Sequence, residues 1–230
     1  MTLTNLLILL NVLAFIYELG TGALSNERAL YRDGALYGLA VTQGGQWWRI
    51  VTGAFLHGSI PHIALNMIAL FQVGSIVEVL YGKPRYLLVY IIAMVGSGLL
   101  VVYLTPNLLT VGASGAIFGL FGALVAAGIR MGKRGRQLVQ GTVPVIVLNL
   151  IFTFTFPGIS WAAQVGGLGF GFLAGLVLFM GTPYRRQVAY AYPYPAQNDP
   201  SPVETIEQPP EAGAHEEADA PPLHVRDPRE

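Results

Sequence analysis

The chain has 230 residues, 53% of them hydrophobic and 11% charged, with a formal net charge of zero and no cysteine. Soluble domains carry about 25% charged residues, so the composition argues against a water-soluble fold and for a protein that crosses a membrane several times. Disulfides and thiolate metal sites are excluded, and nothing marks a nucleic-acid partner.

A charge near the bilayer centre is costly, so charge-free stretches show where spans fit. Leu3 to Tyr17 is the first, closed by Glu18, and Ile50 to Val77 is the second, closed by Glu78. Tyr86 to Ile129 runs 44 residues and Gln137 to Tyr184 runs 48. One span needs roughly 20 residues, so the first two stretches hold one helix each and the last two hold two each. Thr105-Pro106-Asn107 and Pro157-Gly158 supply the dividing turns. The resulting fold class is an all-α polytopic membrane protein. It has six predicted spans, at 3–19, 59–80, 85–104, 113–130, 138–155 and 160–180, with a long loop over 20–58. The first segment lacks a basic leader and a small-residue cleavage site, and reads as a retained signal anchor.

Lys83, Arg85, Arg130, Lys133, Arg134, Arg136, Arg185 and Arg186 fall at one set of helix ends, and only Arg28, Arg32 and Arg49 at the other. The positive-inside rule then places both termini in the cytoplasm of a multi-pass protein, with the plasma membrane as the expected location. The membrane domain covers 1–184. From Gln187 onward 44 residues hold nine prolines and nine acidic groups. Such a segment cannot bury enough apolar surface to fold, so 185–230 is expected to be a disordered cytoplasmic tail.

Three polar features interrupt the apolar sequence. The first is Trp47-Trp48-Arg49 followed by His57, His62 and Asn66. His62 and Asn66 are four apart and share a helix face, where their side-chain N–H groups can stabilise an oxyanion or simply bond neighbouring helices. His57 sits nearer the interface, and Arg49 and Glu78 at helix ends suit ion pairs or caps. The second feature is Gly112-Ala113-Ser114-Gly115 at the start of the fourth span. The third is Gln164 followed by Gly167, Gly171 and Gly175, at spacings of three, four and four. Gly115 and Gly119 carry the same four-residue spacing, so the fourth and sixth helices can approach closely and bring Ser114 near Gln164.

Taken together these residues resemble the rhomboid intramembrane serine proteases, over roughly residues 3–180. Trp48-Arg49 is similar to the family's first-loop motif, and His57, His62 and Asn66 reproduce its His-x4-His-x3-Asn pattern. Glu78 also fits, twelve residues after the Asn. Gly112 to Gly115 matches Gly-x-Ser-Gly, which implies that Ser114 is the nucleophile, with His62, Asn66 and less firmly His57 on the oxyanion side. The resemblance implies no metal or cofactor, and partners that are the bilayer and transmembrane substrates or clients.

The sixth helix departs from the pattern. Gly167 and Gly171 are in place, but Gln164 occupies the position of the general-base His. An imidazole takes the serine proton and returns it to the leaving amine; a carboxamide can only imitate its shape. Three readings follow: an impaired endopeptidase, a pseudoprotease that binds transmembrane clients uncut, or a form inactivated by design. A transporter using Glu78, His62 and Asn66 as a polar path is the alternative from another class, and it lacks inverted repeats.

Overall fold

A computed structural model describes residues 1–24, 26–155 and 159–180, and among these the chain is helical, with one isolated bridge between Leu36 and Thr110. The long helices are α1 (Leu3–Thr21), α5 (Ile60–Tyr81), α6 (Lys83–Leu104), α7 (Ser114–Arg130), α8 (Arg136–Thr155) and α9 (Trp161–Leu178). Their ends agree with the predicted spans to within two residues. Five of these segments are long and apolar enough to cross a membrane, whereas α7, with 17 residues, falls in a shorter class. Five of the six expected spans thus meet the length and apolarity of a membrane crossing, and the expected span at 113–130 corresponds to the shorter α7. The predicted break at Pro157-Gly158, the tail over 185–230 and the basic pair Arg185 and Arg186 lie outside the described residues.

Local chemistry sets the helix boundaries. Thr2 caps α1 through the Asn5 N–H, Ser59 caps α5 through the His62 N–H, and Ser160 caps α9 through the Ala163 N–H. Pro61 and Pro84 stand in the first turns of α5 and α6, where a missing N–H costs nothing. Thr105-Pro106-Asn107 does form a turn.

The segment expected as a loop over 20–58 holds three short helices, α2 (Glu27–Asp33), α3 (Gly38–Thr42) and α4 (Arg49–Gly53). At five to seven residues each is too short for hydrophobic periodicity to register. Arg49 organises them. It is 4% exposed and donates to the carbonyls of Tyr31 and Ala35, both at 2.8 Å, and to Gln46 Oε1. Its guanidinium also lies over the Tyr31 and Trp48 rings. Trp48 is half exposed, so its indole serves as a lid on this cation.

Glu78 is tied to another helix altogether. Its carboxylate accepts from the Leu3 N–H, the Thr4 N–H and the Thr4 hydroxyl, each at 2.8 Å. It thereby fastens the amino end of α1, where the helix dipole also favours a negative charge. Replacing Glu78 with Ala strands these donors. The expected loss is about 2–4 kcal/mol of stability, read as a lower thermal midpoint in detergent, with Glu78→Gln recovering part of it.

Among the long helices, α9 lies most extensively against α7 and next against α6. A Cβ at Gly167 would stand 1.8 Å from the Gly115 carbonyl oxygen, and one at Gly171 only 2.1 Å from that of Gly119. The backbones of α7 and α9 are thus in direct contact, as the four-residue glycine spacing suggests. By contrast α8 is the least buried of the long apolar segments.

Candidate functional site

Apart from Glu78, which lies at the far end of α5 against Leu3 and Thr4, the polar residues singled out in the sequence gather at the end of the bundle formed by the loop after α1, the α6–α7 connection and the start of α9. Ser114 is the first residue of α7, so its own N–H and those of Gly115 and Ala116 have no intrahelical partner. The turn before it is held from the first loop. The Gly112 N–H donates to the Gly53 carbonyl at 2.9 Å, and Leu36 and Thr110 exchange two backbone bonds of 2.9 and 2.8 Å.

Gly112 has φ +113°, and a Cβ there would lie 2.6 Å from His62 Nε2. Only glycine serves at this point, both for the backbone angle and for the imidazole pressed against it. The Asn66 amide is close behind, with Nδ2 3.8 Å from the same point, and it donates to the His62 carbonyl at 3.0 Å. His62 and Asn66 therefore flank the turn that carries Ser114. His57 stands behind them, with its ring 5.1 Å from that of His62 and nearly perpendicular to it. His57 is fully enclosed, and its Nδ1 lies 3.1 Å from the Phe55 carbonyl. Burial, and then the neighbouring His62, push its pKa down to about 4, so the ring is neutral at physiological pH. Nδ1 then carries the proton donated to Phe55, and Nε2 is an acceptor without a partner among the described residues.

Gln164 lies in the first turn of α9, beside α7. The Ala163 carbonyl is 3.2 Å from the Cβ position of Gly115, the residue after Ser114. Among the described residues no hydrogen bond joins Gln164 to Ser114. Instead the Gln164 Oε1 accepts from the Thr153 hydroxyl of α8.

Two participants were not singled out in the sequence. Thr153 is one; it shares a face of α8 with Asn149, whose carbonyl it also approaches at 2.8 Å. Two polar residues four apart in an apolar span were the available signal. The other is Glu18, noted only as the end of a charge-free stretch. Both its carboxylate oxygens lie 2.8 Å from the His57 N–H, so α1 braces the loop that leads into α5.

Residues 44–181 match the family model described as the Rhomboid domain. The chain is 36% identical to rhomboid protease GluP of Bacillus subtilis over 178 residues, 77% of this chain and 35% of GluP. It is 31% identical to rhomboid protease AarA of Providencia stuartii, over 81% of this chain and 75% of AarA. Against RHOMBOID-like protein 4 of Arabidopsis thaliana the identity is 32%, over 63% of this chain and 37% of that protein. The chain belongs to the rhomboid family, and its scaffold is of the intramembrane protease type. It spans about a third of the length of GluP and of RHOMBOID-like protein 4.

Proposed function

We propose that this protein binds transmembrane segments of other membrane proteins on a serine-endopeptidase scaffold, with cleavage lost or severely impaired at Gln164. The observation that carries this reading is the environment of Gln164. It occupies the general-base position beside the nucleophile helix, yet it is tied to Thr153 and cannot hold a proton.

The remaining parts suit acyl transfer. Ser114 would attack a scissile carbonyl, and its own N–H, His62 and Asn66 would hold the resulting oxyanion, with His57 supporting His62. A helix of 17 residues rises about 25 Å, some 5 Å short of a hydrocarbon core, so Ser114 would sit recessed near the outer leaflet. The six basic residues Lys83, Arg85, Arg130, Lys133, Arg134 and Arg136 favour a cytoplasmic location for the opposite end and for the amino terminus. We assign residues 1–184 to the membrane domain, 185–230 to a cytoplasmic tail, and the whole to the plasma membrane.

The test is fluorophosphonate labelling of the detergent-purified protein beside Gln164→His and Ser114→Ala. Labelling that appears only in Gln164→His supports a scaffold silenced at one residue. Labelling of the unaltered protein that vanishes in Ser114→Ala makes it an active hydrolase and overturns the silencing. Ser114→Ala itself is expected to leave the stability within about 0.5 kcal/mol of the parent, because the Ser114 side chain makes no hydrogen bond with a described residue. A large loss of folded protein would make Ser114 structural.

A further inference from the structure

Leu70, Val73 and Val77 face α5 towards the core, each at most 2% exposed. On the opposite side Leu65 and Ile68 are 64% and 57% exposed. Gln72 is exposed beside them and makes no hydrogen bond with a described residue. It stands 12 residues after Ile60 and nine before Tyr81, the two ends of α5. At about 1.5 Å per residue it is about 18 Å from one end and about 14 Å from the other, close to the midplane of a hydrocarbon core about 30 Å thick.

Lipid satisfies Leu65 and Ile68 but not a carboxamide, which carries both donors and an acceptor and meets no water at that depth. From the midplane the side chain is too short to reach the headgroups. The residues around it form a seam. Leu65, Ile68, Gln72, Ser75 and Val79 recur at intervals of three, four, three and four, and each is exposed or half-buried. That is the a and d spacing of a left-handed pair of helices, in water or in a membrane. Gln72 falls at the centre of the seam, where a single polar residue fixes the register and the number of helices. Ser75, one turn on, is small enough to let two backbones approach.

We propose that this face of α5 pairs with the same face of a second copy of the chain, the two Gln72 carboxamides bonding each other across a two-fold axis normal to the membrane. Depth and the chemistry of the amide together select this occupant. Copies inserted in the same orientation set α5 beside α5 in parallel, so Gln72 meets Gln72 at equal depth. A carboxamide is self-complementary: an N–H of each donates to the carbonyl of the other, and both are satisfied at once. An unrelated transmembrane helix brings such a group to this depth only if its own sequence supplies one. The pairing is independent of Ser114 and Gln164. A hydrogen bond between helices in a membrane corresponds to about 3-fold to about 20-fold in affinity. Loss of the reciprocal pair is therefore expected to weaken dimerisation at least about 10-fold.

The test uses the full chain in phosphatidylcholine–phosphatidylglycerol liposomes. The sequence has no cysteine, so one introduced thiol reports one position. Oxidation with copper phenanthroline is expected to join Ile68→Cys and Ser75→Cys into covalent dimers. Leu13→Cys on α1 and Val147→Cys on α8, both exposed in the parent, are expected to stay single. Energy transfer between copies labelled at Leu13→Cys, followed over a range of protein-to-lipid ratios, then gives the affinity. It is expected to fall at least about 10-fold in Gln72→Leu and to be largely kept in Gln72→Asn. Single chains at every ratio overturn the proposal. Cross-linking at Leu13→Cys or Val147→Cys in place of the seam puts the interface elsewhere and overturns it too. Unchanged affinity in Gln72→Leu removes the carboxamide pair and the proposal with it. Should Gln72→Leu fail to fold, the cross-linking pattern with Gln72 in place still decides.

Discussion

Replacing Gln164 with His is expected to raise cleavage of a single-span test substrate by a factor on the order of 10⁴ or more. Removing a member of a serine-protease triad costs about that much in turnover, and here the change runs in the opposite direction. The imidazole would enter the first turn of α9, beside Gly115 and within reach of the Thr153 hydroxyl. Thr153 would hold one ring nitrogen, leaving the other for the Ser114 proton. The measurement is appearance of the cleaved fragment in liposomes, with Gln164→His/Ser114→Ala as the blank. A folded Gln164→His protein that leaves the substrate intact would show that position 164 does not serve Ser114.

The second large effect is expected at the contact between α7 and α9. Gly171→Val places a branched side chain where Gly119 backbone atoms stand 2.1 to 2.5 Å from the Cβ position. Overpacking of a core costs about 1–3 kcal/mol when side chains can shift. Here the obstructing atoms are main chain on both sides, so the expected loss is at least about 3 kcal/mol. Thermal or dodecyl-sulfate unfolding reads it directly. Introduced into Gln164→His, the same change should also abolish the gained proteolysis, because the two helices that carry positions 114 and 164 can no longer meet. Parental stability in Gly171→Val would mean that the helices are held by contacts elsewhere.

The parts of this protein that could be read from sequence are those governed by the solvent. Charge-free runs marked the long helices because lipid penalises every charge, and their ends fell within two residues of the structure. Gly112 to Gly115 and the Gly167, Gly171 repeat were legible because a close backbone approach allows few other residues. The first loop was not legible as helices. Arg49 organises it through carbonyls of Tyr31 and Ala35, eighteen and fourteen residues away in sequence, and backbone acceptors leave no trace in side-chain patterns. Glu78 was legible as a helix-end residue, but its attachment to α1 spans 75 residues and follows only from the fold. The partner of Gln164 was hidden for the same reason. Thr153 is unremarkable until α8 is laid beside α9.

The direct backbone contact of α7 with α9 separates two properties that are usually entangled in an enzyme site. Position and side-chain chemistry are carried by different atoms here. The placement of residues 114 and 164 is fixed by main chain on Gly115, Gly119, Gly167 and Gly171, and the side chain at 164 contributes little to that scaffold. Evolution, or an experimenter, can therefore exchange the reagent at this position while the frame that aims it stays unchanged.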